Sequence, residues 1–133
     1  PFPSLQMKLL THNFLSSRFL KNVTTGYPLK LTIDEKKVVE AELDINFLKS
    51  VMVKIDYNVL YDVAKSVGEG ENLPSPDSEI DVTSLTELQL NQLHRVLVCL
   101  DVVIGSLECP ESGRVFPIRD GIPNLLVNED EVS

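Results

Sequence analysis

The stretch IGSLECPESGRVFPIRDGIPNLLV, residues 104–127, reads as a complete small β unit. Leu107 and Cys109 alternate with polar neighbours, Pro110-Glu-Ser-Gly113 is a turn cluster, Val115-Phe-Pro-Ile118 resumes an extended pattern, and Asp120-Gly121 reverses the chain again. The order is strand, turn, strand, turn. Its end, Ile122-Pro-Asn-Leu-Leu-Val127, is almost continuously apolar on a strongly acidic chain, so something must cover it. Leu125 and Leu126 are adjacent and, if extended, point to opposite faces, so both cannot face one small core.

Upstream, the pattern divides into a β-like N-terminal part and a helical middle. MKLLTHNFL, residues 7–15, is short and apolar and suits a strand with Leu9, Leu10, Phe14 and Leu15 as bulk. After an irregular polar segment, Tyr27, Leu29, Leu31 and Ile33 alternate on one face of a second strand. Asp34-Glu-Lys-Lys37 is expected to be a charged turn, and 38–43 to resume a strand. At Asp44 the period changes. Phe47, Leu48, Val51 and Met52 fall at helical spacing behind Asp44 or Asn46 as N-cap, and Asp56 can cap a second helix striped by Val59, Leu60, Val63 and Val67 and stopped at Gly68. Residues 69–79 predict a flexible surface loop whose charges form a solvated face. Thr83 or Ser84, with Glu87 placed for a capping box to Ser84, would open a long amphipathic helix lined by Leu85, Leu88, Leu93, Val96, Leu97 and Leu100 and ending near 101–105. With β-like ends and a helical middle, the fold class is α+β, the two ends sharing one small sheet.

Composition narrows function. A chain of 133 residues suits one domain, or one with a lobed insertion. Twenty acidic residues against 12 basic, for a net charge of −8, argue against sequence-blind nucleic-acid binding, which needs clustered Lys and Arg. Cys99 and Cys109 make no disulfide framework, so a reducing compartment is expected. No apolar run is long enough to span a bilayer, and the expectation is a soluble intracellular protein with no membrane partner. Residues 1–6, PFPSLQ, precede Met7, which looks like a natural start. They are expected to be an expression-vector remnant outside the fold.

Catalytic candidates are scarce. His12 and His94 are the only histidines; His94 reads as a solvated or partner-facing helix residue, and His12 has no accompanying acid motif. No glycine-rich turn leads from a strand into a helix, so neither a nucleotide nor a methyl donor is expected to bind. Cys109-Pro-Glu-Ser112 has the spacing of a zinc knuckle whose second cysteine is replaced. With no second pair of ligands, Cys109 is expected to be a small buried residue.

Taken together, MKLLTHNFL (7–15) and CPESGRVFPIRDGIPNLL (109–126) resemble the multifunctional methyltransferase-activating subunits, small noncatalytic partners shared by several S-adenosylmethionine-dependent methyltransferases. The resemblance runs from Met7 to about Val127, strongest at the two ends and in Asn46-Phe47, weakest across 68–82. The FPIRDGIP segment alone also resembles short bacterial zinc-ribbon-like proteins without the helical insertion. The resemblance implies a zinc-ribbon-like β domain from 7–43 and 104–127, an inserted helical domain at 44–103 and an acidic tail at 128–133. Some members carry four zinc cysteines, whose positions correspond here to Ser17, Asn22, Cys109 and Ser112, so no bound metal is expected. Packing by Leu9, Phe14, Val115, Phe116 and Ile118 must then supply what a structural zinc supplies elsewhere, on the order of 10 kcal/mol.

The same resemblance implies no catalytic residue and no cofactor. It implies a heterodimer with methyltransferase subunits that modify tRNA, rRNA or a translation termination factor in cytoplasm and nucleus, nucleic acid being met only through the complex. Its implied interface is Thr11, Asn13, Phe14, Phe47, Met52, Arg119, Ile122, Pro123, Asn124, Leu125 and Leu126, with Phe14 and Ile122 open to a core role. Two other readings are an accessory RNA-binding ribbon using Arg18, Lys21, Lys30 and Arg114 or Arg119, and a small enzyme using His12 and Cys109.

Overall fold

The computed structural model describes residues 6–77 and 79–132. Four antiparallel strands form one sheet in the order β1 (Lys30–Val38), β2 (Leu100–Glu108), β3 (Val115–Arg119) and β4 (Ile122–Pro123). The α+β class holds. β1, from the N-terminal part, pairs along its length with β2, from the C-terminal part, with Leu31 opposite Leu107 and Lys36 opposite Val102. Gly105 sits opposite Ile33, where the strands approach so closely that a Cβ would lie 2.2 Å from the Thr32 carbonyl oxygen. The register shifts there, on either side of Glu35.

Three expectations about the N-terminal half need correction. Residues 9–14 are not a strand but a short helix, α1 (Leu9–Phe14). Its buried residues, Leu9, His12 and Asn13, recur at helical spacing, and Phe14 faces outward. The charged residues 34–37 are not a turn. They lie inside β1, whose place at the sheet edge lets their side chains reach solvent while the backbone pairs with buried β2. Beyond Val38 the expected strand does not continue, although Val39 N–H still donates to Cys99 carbonyl. Of the expected vector remnant, residues 1–5 lie outside the described residues, and the Gln6 carbonyl accepts from Thr11 Oγ1 at 2.9 Å.

The helical middle follows its caps. Asp44 opens α2 (Ile45–Lys54) by accepting from Phe47 N–H, and Asp56 opens α3 (Tyr57–Ser66) by accepting from Val59 N–H. The next helix starts later than expected. Asp81 accepts from both Thr83 groups and from the Ser84 hydroxyl, which spends those hydroxyls in a 3-10 turn at Val82–Ser84. Thr86 therefore caps α4 (Glu87–His94), in a reciprocal capping box with Gln89. Leu88 points to solvent at 64% exposure, and Leu90 packs inward with Leu93 instead. The helix loosens into a π turn over Arg95–Cys99 and passes straight into β2 at Leu100, inside the stretch expected to be helical.

Glu69, expected in a solvated loop, is buried. Its carboxylate accepts from Lys36 Nζ of β1 at 2.6 Å and from Arg95 Nε of the π turn at 2.8 Å, and Gln92 donates to its carbonyl. Chiefly through the Arg95 hydrogen bond, offset in part by burial and helped by Lys36, its acidity is raised. A carboxylate with a lowered folded-state pKa contributes stability above about pH 4.3, the unperturbed value, and loses it as pH falls through the folded value. Urea unfolding of Glu69→Gln is expected to show a loss of about 2 kcal/mol at pH 7, shrinking below pH 4 as the wild-type carboxylate itself protonates. An equal loss at every pH would show that its charge is not what matters.

Candidate partner-binding surface

The apolar C-terminal stretch is held by backbone bonds and by burial of only some of its side chains. In β4, Ile122 pairs with Arg119 and Pro123 with Ile118, and beyond it Asn124 N–H donates to Pro117 carbonyl at 2.9 Å. The Asn124 side chain then accepts from Leu126 N–H at 3.0 Å, turning the chain. The result is a shallow open concavity lined by Arg119, Ile122, Pro123, Asn124, Leu125 and Leu126. Leu126 is 80% exposed and Ile122 47%, whereas Leu125 packs against the core and Pro123 is buried. The two adjacent leucines do face different surroundings.

Arg114 also steadies this segment. Its guanidinium lies over the Phe116 ring at 4.8 Å, donates to the carbonyls of Val115 and Leu126, and pairs with Glu131 at 2.8 Å. Glu131 belongs to the acidic C-terminal residues, which make a 3-10 turn capped by Asn128; Lys21 N–H donates to the Glu131 carbonyl at 2.7 Å. The tail is thus folded back on the loop before β1 and the turn before β3. The Glu131 carboxyl is kept acidic by Arg114 and by the Asn128 N–H.

The remaining expected interface residues fall in two places. On α1, Thr11 donates to the carbonyl of Gln6, whose side chain abuts Gly121 at the start of β4, so Thr11 lies near the C-terminal group. Phe14 is 59% exposed. Asn13 is 3% exposed, and its amide both accepts from Asp56 N–H at 2.9 Å and donates to Asp56 carbonyl at 2.8 Å, fastening α1 to the cap of α3. On α2, Phe47 is exposed in the first turn, and Met52 lines a separate groove with Val53, Tyr57, Ile80 and Val82. Val53, 86% exposed, lies off the apolar stripe that marks the buried face of α2, so the helical pattern does not point to it. Val115, expected in the packing of the sheet, is also exposed, while Leu9, Phe116 and Ile118 are fully buried.

The candidate catalytic groups are committed to structure. His12 is buried with Nε2 2.6 Å from the Leu29 carbonyl oxygen, and burial, against that hydrogen bond, holds its pKa below the usual histidine value. Cys109 is buried beside Ser17 and Ser112. Burial raises its thiol pKa, but the hydroxyls of Ser112 and Ser17 and the N–H groups of Ser112 and Glu111 outweigh it and leave the pKa lowered. His94, expected to be solvated or partner-facing, is half-buried with Nε2 2.8 Å from the Ala41 carbonyl oxygen.

Comparison with known proteins places this arrangement. The family model described as Trm112p-like protein matches residues 8–121. The chain belongs to the Trm112p-like family. Among its relatives, the multifunctional methyltransferase subunit TRM112-like protein of Caenorhabditis elegans is 44% identical over 122 residues, covering 90% of this chain and 95% of the relative. The multifunctional methyltransferase subunit TRM112 homolog A of Arabidopsis thaliana is 42% identical over 128 residues, covering 95% and 100%. The multifunctional methyltransferase subunit trm112 of Schizosaccharomyces pombe is 35% identical over 129 residues, covering 95% and 100%. The family match takes in α1, the helical middle and β1 to β3.

The neighbours Asn13 and Phe14 separate by their burial. Asn13→Ala is expected to cost about 1–3 kcal/mol in urea unfolding, because it strands two Asp56 backbone groups. Phe14→Ala is expected to stay within about 0.5 kcal/mol of wild type; equal effects would contradict the division of α1 into a buried and a displayed face.

Proposed function

We propose that the protein is a noncatalytic subunit that activates and stabilises S-adenosylmethionine-dependent methyltransferases, forming a heterodimer with each catalytic subunit. The observation that carries the reading is the display of Ile122 and Leu126 on a segment anchored by backbone hydrogen bonds. A flexible apolar tail would collapse onto its own chain; an anchored one stays available. Its relatives' names as multifunctional methyltransferase subunits support a shared partner role. The substrates of the complexes are tRNA, rRNA and a translation termination factor, and the complexes act in cytoplasm and nucleus. No helix among the described residues is long and apolar enough to cross a membrane.

The sheet with its flanking loops, 7–43 and 104–127, is read as a zinc-ribbon-like lobe, 44–103 as an inserted helical lobe and 128–133 as an acidic tail. Pairing of β1 with β2 across the intervening helices supports this division. The binding surface comprises Thr11, Phe14, Arg119, Ile122, Asn124, Leu125 and Leu126, with Phe47 and Met52 extending it. Asn13 and Pro123 hold it from beneath. Apolar area covered there contributes roughly 25 cal/mol per Å², and β1, as an edge strand, offers backbone groups for further pairing. Contact with nucleic acid is indirect: Arg114, one of the cations a direct RNA site would use, is committed to Glu131.

Coexpression with a methyltransferase catalytic subunit is expected to raise that subunit's soluble yield and give a coeluting pair. Leu126→Asp is expected to weaken the pair at least tenfold, as loss of a central contact does, with the melting temperature of the free chain unchanged. A complex unaffected by Leu126→Asp would overturn the surface.

A further inference from the structure

Of the four positions at which some zinc-binding relatives are implied to carry cysteine, Ser17 and Asn22 lie in the loop before β1 and Cys109 and Ser112 in the turn between β2 and β3, both leading to the end of the sheet where Lys30 and Val115 pair with Glu108. The Cys109 sulfur is approached by the hydroxyls of Ser112 and Ser17, and Asn22 and Ser112 line one cleft. This donor set does not fit a structural zinc, which takes four Cys or His ligands. One thiol is present, with two hydroxyls and an amide. Ser17 is fully buried with its hydroxyl 3.3 Å from the Gly26 carbonyl oxygen, and the Cys109 sulfur accepts from Ser112 N–H at 3.3 Å. Among the described residues no group of three or more His, Cys, Asp or Glu is placed to hold a metal ion.

The two loops are nevertheless joined. Glu111, from the Cys109–Arg114 turn, directs one carboxylate oxygen at Thr24 N–H (3.0 Å) and the other at Thr25 N–H (2.8 Å) and Gly26 N–H (2.6 Å). Three successive backbone donors converging on one anion form a concave nest, and each bond is charge-assisted. The loop needs glycine at 26. Its φ is +57°, and a Cβ there would lie 2.6 Å from the Ser17 hydroxyl. The opposing turn is fixed in its own right by Cys109 N–H on Arg114 carbonyl (2.8 Å) and Gly113 N–H on Cys109 carbonyl (3.0 Å). Glu111 therefore projects from a rigid turn into a loop whose three N–H groups it collects.

We propose that this chain closes the end of its sheet without metal, the Glu111 carboxylate joining the two loops that zinc joins in metal-binding relatives. The claim concerns the free chain and stands apart from the identity of any partner. The test uses the full chain purified from zinc-supplemented medium. Metal analysis is expected to find less than about 0.1 zinc per chain, and melting is expected to be the same with and without EDTA. Glu111→Gln is expected to lower the melting temperature by roughly 4 °C or more. In hydrogen exchange it should release the amides of residues 24–26 while those of the β2–β3 pairing stay protected. Stoichiometric zinc with EDTA-sensitive melting would overturn the proposal, as would equal exchange at 24–26 in variant and wild type. Should Glu111→Gln fail to fold, Ser17→Cys, Asn22→Cys and Ser112→Cys added to it should restore folding once zinc is bound. A zinc-loaded chain of that kind that stayed unfolded would also overturn it.

Discussion

The fold closes at Met7. Its N–H donates to Gly121 carbonyl at 2.7 Å, its carbonyl accepts from Val102 N–H at 2.8 Å, and its side chain is fully buried. Gly121 N–H in turn donates to Val103 carbonyl, so one residue from the start of the chain is sewn between the central strand and the turn that precedes β4. The next residue, Lys8, pairs with Asp101 and donates to Val98 carbonyl, locking the same junction at the point where helix becomes strand. The joint fixes the turn from which the residues after Gly121 depart. β4 is a two-residue strand at a sheet edge, and the joint supplements its pairing with β3.

The caps were the most legible part of the sequence. Asp44 and Asp56 each precede an apolar stripe and each accepts from the N–H three residues on, because the capping bond is local and needs no tertiary information. The turns at 110–113 and 120–121 were legible for the same reason. The errors fall where distant partners decide. A nine-residue apolar run such as 7–15 has too few residues to separate the two periods, and the sheet's need for Met7 together with the core's need for Leu9 and His12 settles it. Residues 34–37 look like a turn until β2 is present to pair with them, and Glu69 looks solvated until Lys36 and Arg95 arrive from other elements. Thr86 took the cap from Ser84 because Asp81 had already engaged the Ser84 hydroxyl.

The displayed surface was legible as composition and not as geometry. That Leu125 and Leu126 cannot share one core follows from alternation alone; which of them faces outward follows from the Asn124 turn. The acidic tail carried no such signal, and its return through Glu131 to Arg114 depends on a cation 17 residues earlier. The surface thus carries one cation, Arg119, beside the exposed Ile122 and Leu126, and the Arg114–Glu131 pair tethers the same segment through the Leu126 carbonyl.

The central claim is that the face built on the Met7 joint is occupied by a methyltransferase. Hydrogen exchange read by mass spectrometry, on the free chain and on the coexpressed complex, tests it most directly. New protection concentrated in residues 119–127, and reaching α1, is the predicted result. Protection confined to α2, α3 and the 69–81 segment, with 119–127 unchanged, would contradict it.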